Sequence, residues 1–498
     1  MACFDLVVVG GGTAGQTAAL RAAAAGARVG LVDTVAPSPC GSATWSPYLG
    51  TCAAVGCVPK KLLRQLAVGR VAAREASPLV GAAPAEPPET AWKLALAEVH
   101  GHVRQIQEDA YGRLRCAGVR LAHGTATLGS APDTLLCKKE DGGSETLTFR
   151  KLLVASGTRP VAEPYLTASE GTSPRTWRLQ TSDDFFTDLA PPGATLIVGG
   201  SYVALELATI VSGLGFPVTV MMRSTPLRGF DACAAERLVA DLSARYKVRV
   251  VSGECPTQWC DNLDGTVTVR GSAGDEGTYR TVVLAIGRAA SPTAPLIADL
   301  LARGAALKAG RIVTDGSWRV VGYAQAGAAG NVYAVGDVAG TLPELQPAAR
   351  LSAQTWADEF FGAVQAQPFV ANIPAAVYAA LEFATVGLSE ADAEAALGAA
   401  HVAVLESEGS SLELPLSARR TCYAKLVCDA SDSMRVRGCH LIMPHAADAV
   451  QGLALAMDKG LTLTELQGLV TVHPTDLESL LLGLVPRRAD GSVAMADC

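Results

Sequence analysis

Phe4-Asp-Leu-Val-Val-Val-Gly10-Gly-Gly-Thr-Ala-Gly15 is the stretch on which the fold turns. A run of aliphatic and β-branched residues enters a glycine cluster. An alanine-rich helical pattern follows to about Ala25, then Gly26, then a second apolar run, Arg28–Val32, ending at Asp33. Strand, tight turn, helix and strand in this order form the opening unit of a dinucleotide-binding sheet. Gly10 makes the turn, Gly12 lets backbone approach a pyrophosphate, and Gly15 allows close packing of helix on strand. The free N–H groups of the helix start favour an anion. Asp33, about 20 residues on, is placed to accept a ribose hydroxyl. A purely structural turn is the alternative.

The pattern recurs. From Leu189 to Met222 the only charged residue is Glu206, but Pro191, Pro192, Gly193, Gly199, Gly200, Gly213, Gly215 and Pro217 cut the stretch into short pieces. It reads as buried strand, helix, buried strand and not as a membrane span. Gly199-Gly200-Ser201-Tyr202-Val203-Ala204 is its turn, with serine at the second glycine position. No acidic residue ends the next strand. Arg223, Ser224 and Arg228 stand there instead, which suits the 2′-phosphate of NADP(H) over NAD(H); a solvated basic turn is the alternative.

Elsewhere Glu75–Glu89, with four prolines, reads as a loop, and Asp141-Gly142-Gly143 as a hairpin turn. Further strands are expected at Leu152–Ala155, Lys247–Val251, Thr266–Val269, Thr281–Ile286 and Asn331–Val335, with Gly271–Gly277 as a loop. Beyond about Pro368 the texture changes to strands near Ala375–Val377 and Tyr423–Cys428 and then helices to the end. This predicts a separate C-terminal α+β unit.

The 498 residues are enough for two to four domains, and 49% are hydrophobic against 18% charged, which excludes a disordered chain. The balance of 41 Lys+Arg to 48 Asp+Glu, net −7, with no like-charge block, speaks against nucleic-acid binding. The chain enters its first strand at Phe4, leaving no room for a secretory signal, so a soluble cytoplasmic protein is expected. Thirteen cysteines in a chain of this size fit an intracellular enzyme with a few working thiols.

The chemical centre is Cys52-Ala-Ala-Val-Gly-Cys57-Val-Pro-Lys60-Lys61. On a regular helix, positions five apart have Cα atoms roughly 8–9 Å apart, and a disulfide needs less than about 7 Å. A bridge therefore demands a distorted segment, which Gly56 permits, with Pro59 suited to a helix restart. Lys60 and Lys61 would favour thiolates. Cys255 and Cys260 have the same spacing without that setting and read as structural. Cys422 and Cys428 share a strand face and read as packing. No cysteine spacing forms a metal site with the seven histidines. His473 and Glu478, five apart, offer an imidazole able to shuttle protons and a carboxylate able to fix its tautomer; a structural histidine is the alternative.

Gly10–Gly15, the Cys52/Cys57 segment, Ala155-Ser156-Gly157, Gly199–Ala204, Leu284-Ala285-Ile286-Gly287-Arg288, Gly336-Asp337 and His473-Pro474 together resemble the pyridine-nucleotide disulfide oxidoreductase family, in the family's order. Within it the chain is most similar to the large, animal-type thioredoxin reductases. Pro37-Ser38-Pro39-Cys40-Gly41 with Trp45, Val220–Ser224, Leu227–Asp231, Leu381-Glu382-Phe383 and Gly387–Glu390 carry that likeness. Leu20 stands where a glutathione reductase would offer a substrate-binding arginine. Leu49-Gly50 replaces a paired glycine, Ala53 and Ala54 replace more usual residues, and Gln346 stands where threonine is common.

The resemblance implies an α/β chain with two Rossmann-like dinucleotide-binding domains and a C-terminal α+β dimerisation domain. FAD would be held by residues 1–160 and 291–367, NADPH by 161–290, and 368–498 would form the dimer interface and a redox tail. For cofactor binding it points to Gly10, Gly12, Gly15, Asp33, Thr51, Lys60, Gly124, Ser156, Gly157, Gly199, Ser201, Val203, Ala204, Glu206, Arg223, Ser224, Arg228, Gly287, Arg288, Gly336 and Asp337, with Asp337 on the ribityl chain of FAD. Lys60 would sit by the flavin, paired with Glu206, since a buried lysine needs a counter-charge. Electrons would pass from NADPH to FAD to Cys52–Cys57, with Cys57 nearer the flavin and Cys52 the interchange thiol. His473 and Glu478 would come from the partner in a homodimer, and thioredoxin would be the final acceptor.

The family's tails end in a pair of chalcogen residues, whereas the last residues here are Ala496-Asp497-Cys498. One sulfur cannot store two electrons as a dichalcogenide. The expectation is that selenocysteine follows Cys498 in the native protein, and that the 498-residue form reduces small disulfides or quinones better than thioredoxin. A glutathione-type reductase working without the tail and a redox-sensing flavoprotein with degraded catalysis are the competing readings.

Overall fold

In the computed structural model Phe4–Val9 is the central strand of the first sheet, buried from Leu6 to Val9. It pairs in parallel with Val29–Asp33 on one side and with the second half of Ser144–Val154 on the other. Arg120–His123 extends the sheet beyond Val29–Asp33, and Val332–Ala334 returns from far along the chain to pair in parallel with Leu152–Val154. The order of strands reverses at Phe4–Val9, so a crevice opens at its carboxyl end, where open α/β sheets bind ligands. An antiparallel hairpin of Thr125–Leu128, Thr134–Lys138 and the first half of Ser144–Val154 is appended. Its turn is the expected one, with Asp141 accepting a hydrogen bond from the Gly143 amide. Residues 3–34, 49–81, 86–139, 141–168, 175–291, 294–323, 331–362, 372–413, 421–487 and 493 are those the structure describes.

The second sheet has five parallel strands in the order Arg249–Ser252, Val218–Met222, Thr195–Val198, Thr281–Leu284, Arg178–Thr181. A three-stranded antiparallel sheet, Pro256–Asp261, Val267–Gly271 and Glu276–Tyr279, lies beside it. The expected loop Gly271–Gly277 is thus shorter, because the last of these strands begins at Glu276. A larger correction concerns Glu75–Glu89. The helix Cys57–Val80 runs through Pro78, and the next helix starts at Pro88. Pro78 removes the amide that would bond the Arg74 carbonyl, but the Ser77 hydroxyl donates to that carbonyl at 2.8 Å, so the last turn survives.

The C-terminal sheet is antiparallel, in the order Ala375–Tyr378, Glu382–Gly387, Arg435–Met443, Thr421–Asp429, Val402–Ser410, Val485–Pro486. Helices Ala446–Asp458, Leu463–Gln467 and Asp476–Leu482 accompany it, and among the described residues a short strand, not a helix, comes last. Cys422 and Cys428 are buried in one core of this sheet. Val377, Ala379 and Leu381 belong to a different core, shared with Leu63 and Ala67 of the helix Cys57–Val80 and with Leu205 of the second sheet's helix Tyr202–Gly213. The cysteine-bearing helix is therefore clamped between two sheets. Among the described residues no helix is long and apolar enough to cross a membrane.

Candidate active site

Two cavities meet at the helix that begins with Cys57. The first, about 250 Å3, is lined by Gly10, Gly12, Asp33, Thr51, Ser156, Gly157, Val203, Arg288, Gly336 and Asp337, with both Cys52 and Cys57 in its wall. Its turn is tight. Gly10 has φ +107° and a Cβ there would lie 2.3 Å from the Ala155 carbonyl oxygen, while a Cβ on Gly15 would lie 1.8 Å from the Gly10 oxygen. A Cβ on Gly12 would meet nothing nearer than 3.7 Å, so that position is left bare for a ligand. Asp33 accepts the Leu49 and Thr34 amides, and burial raises its pKa. Burial also raises that of Asp337. Arg288 is fully engaged, donating to Asp183, Thr51 and the Thr158 carbonyl. Arg159 lines the same wall without an ion-pair partner among the described residues, and burial lowers its pKa. A concave glycine turn, an acidic residue at the second strand's end and a partnerless cation fit an anionic dinucleotide such as FAD.

The segment between the thiols is broken as the spacing demands. A short helix, Thr51–Ala54, stops at Val55-Gly56, and a new helix starts at Cys57 with Pro59 in its first turn. The Cys52 thiol donates a hydrogen bond to the Cys57 sulfur. That bond, with help from the Lys60 charge, brings the Cys57 pKa down to about 7, and the same bond together with burial raises that of Cys52. Lys60 Nζ donates to both oxygens of Glu206, at 2.6 and 2.7 Å, and Glu206 is only 3% exposed. Lys61, expected to act on the thiols, turns away to Glu382 at 3.3 Å.

The second cavity, about 810 Å3, is lined by Gly199, Ser201, Arg223, Ser224, Arg228 and Gly287. Gly199 has φ +130°, with the Ala285 oxygen 2.3 Å from where a Cβ would be. Ser201 fits the tight turn because its hydroxyl donates to that same carbonyl at 3.1 Å. Ala204 is fully buried and packs the helix without facing either cavity. Cys57, Lys60 and Tyr202 stand in the walls of both cavities. Cys255, read from the sequence as structural, also lines the second one.

His473 Nδ1 lies 2.8 Å from Glu478 Oε2. The Thr471 hydroxyl holds the other oxygen, and these two contacts lower the Glu478 pKa. His473 is 74% exposed and lines neither cavity of its own chain. Gly124 also lies outside both; its amide donates to the Asp33 carbonyl, and a Cβ there would collide with the Lys138 oxygen at 2.3 Å. Cys40, Trp45 and Cys498 fall outside the described residues. Sequence reasoning missed Thr158, Arg159, Asp183 and Glu344 in the walls, which carry no local motif of their own. Among the described residues no group of three or more His, Cys, Asp or Glu is placed to hold a metal.

Residues 4–353 match the family described as pyridine nucleotide-disulphide oxidoreductase, and residues 373–481 match that family's dimerisation domain. The chain belongs to this family, whose cofactors are FAD and NADPH, and it is a disulfide reductase by that membership. It is 32% identical over 510 aligned positions to a thioredoxin reductase of Emiliania huxleyi, covering 99% of this chain and 98% of the relative. A mitochondrial thioredoxin reductase 2 of Drosophila melanogaster is also 32% identical, over 99% of this chain and 93% of the relative.

Proposed function

We propose that the chain is a homodimeric NADPH-dependent reductase of thioredoxin. FAD is held in the first cavity by residues of 1–160 and 291–367, and NADPH in the second by residues of 161–290. The observation that carries this reading is the position of Cys57, a thiol of lowered pKa in the wall common to both cavities. Bound FAD supplies the two-electron relay between NADPH and the thiol pair. The chain's own residues do the rest. Lys60 and Glu206 keep one net-neutral charged couple beside the relay, and Arg223, Ser224 and Arg228 hold the 2′-phosphate.

In the reduced pair, Cys52 gives up its proton and its sulfur attacks the acceptor disulfide. A mixed disulfide forms, and the first acceptor sulfur leaves as a thiol after taking a proton. Cys57 then attacks Cys52, expelling the second acceptor thiol and restoring the Cys52–Cys57 bridge. His473 of the partner subunit, oriented by the partner's Glu478, handles the protons. The surface around His473 supports a partner: Val470 is 94% and Val472 75% exposed, an apolar strip beside an exposed imidazole. Cys498 is the thiol proposed to carry electrons from the pair toward thioredoxin, and loss of thioredoxin turnover with small-disulfide turnover kept in Cys498→Ser tests it.

NADPH consumption with thioredoxin, oxidised glutathione and a small aromatic disulfide tests the reading as a whole. Turnover of the native protein with thioredoxin, at least tenfold above that with glutathione, is expected. The reverse order would make the chain a glutathione-type reductase.

A further inference from the structure

The C-terminal sheet reaches into the redox site at one strand. The backbone amide of Tyr378, at the end of Ala375–Tyr378, donates to Glu206 Oε1 at 2.9 Å. Glu206 thus receives three hydrogen bonds, two from Lys60 and one from this foreign strand. The ring of the same tyrosine carries Lys61 Nζ at 3.8 Å from its centroid and Lys60 Nζ at 5.1 Å. Both lie inside the range of cation–π attraction. Tyr202 presents a second ring to Lys60 at 5.6 Å. One residue further on, the Ala379 carbonyl accepts from Arg64 at 2.7 Å, and Glu382 accepts from Lys61 and Arg64. Three cations of the helix Cys57–Val80 are therefore fixed by three residues of the C-terminal sheet, Tyr378, Ala379 and Glu382.

We propose that Tyr378 is a positioning residue for the disulfide-reductase site: its amide and ring hold Lys60 between Glu206 and Cys57, so that the C-terminal sheet takes part in setting the thiol's reactivity. This rests on the proposed role of Cys57. Removing the ring gives Lys61 no face to rest on and opens the Lys60–Glu206 couple to water, which weakens the field at the sulfur. The other charged and titratable groups facing Cys57 are Cys52, Tyr202 and, across the cavities, Glu344.

The test is the alkylation rate of Cys57 at pH 7, read by mass spectrometry on the dithiothreitol-reduced, FAD-loaded protein and its Y378L and Y378F variants. The rate of flavin bleaching by NADPH is followed beside it. Y378L is expected to slow Cys57 alkylation about fivefold and bleaching about tenfold, with the NADPH concentration for half-maximal rate within twofold of wild type. Y378F, which keeps the ring, is expected to restore both to within twofold. If Y378L does not retain flavin, Y378M, which keeps bulk without a π face, carries the same expectation. Unchanged alkylation in the ring-less variant, or a Y378F as slow as Y378L, overturns the inference. Slow Cys57 alkylation in the wild type would instead overturn the role assigned to Cys57.

Discussion

Cys52 and Cys57 stand across a broken helix, whereas Cys260, at the same spacing from Cys255, lies in the strand Pro256–Asp261 that Cys255 immediately precedes. Five residues of strand separate two Cα atoms by roughly 16 Å, so the second pair cannot meet without refolding its sheet. In the first pair Gly56 stops one helix and lets another begin, which brings the sulfurs within hydrogen-bonding range. The charges differ as well: Cys57 has Lys60 at hand. Cys255 sits against Tyr165, whose phenol its thiol engages, and Cys260 is exposed. Equal spacing becomes redox chemistry only where backbone geometry and a nearby cation supply it.

The contrast breaks most visibly at Cys57. Cys57→Ser should lower turnover of a small aromatic disulfide by at least about 10³-fold, or about 4 kcal/mol of barrier, while NADPH still bleaches the flavin. Gly56→Ala comes next. A Cβ there would lie 2.9 Å from the Thr51 carbonyl oxygen, the acceptor that closes the short helix. The thiols should separate and turnover fall by roughly 10–100-fold, with the flavin spectrum unchanged. Lys60→Met tests the electrostatic half. With a lowered Cys57 pKa of about 7, thiolate appears and alkylation rises as pH climbs through that value. Loss of the ammonium should move the rise upward by about one unit, a ~1.4 kcal/mol change, making alkylation at pH 7 roughly fivefold slower. The smallest effect belongs to Cys255→Ser/Cys260→Ser together, with turnover expected within about twofold of wild type. A collapse of that double variant to the level of Cys57→Ser would erase the distinction between the pairs.

Both glycine turns were legible in the sequence, because Gly10 and Gly199 occupy backbone conformations and contacts that exclude a side chain. The break between the thiols was legible for a similar reason, since an unbroken helix could not bridge them. The helix through Pro78 was not: it depends on the Ser77 hydroxyl taking over a carbonyl, a local rescue that proline counting misses. The direction of Lys61 and the roles of Asp183 and Tyr378 were also hidden. Their partners Glu382, Arg288 and Glu206 lie 105 to 321 positions away or are brought near only by packing of separate sheets. Gly124 carries a constraint that its sequence neighbours do not reveal, a close approach between strands with the Lys138 oxygen 2.3 Å from where a Cβ would be.

Whether electrons from NADPH arrive at Cys52 and Cys57, and not at the second pair, is the claim on which the rest depends. Differential alkylation of the FAD-loaded protein, before and after anaerobic addition of one equivalent of NADPH, measures it directly. Cys52 and Cys57 should be protected as a disulfide beforehand and become alkylated afterwards, with labelling of Cys255 and Cys260 unchanged. Equal labelling of Cys52 and Cys57 before and after NADPH would contradict the account.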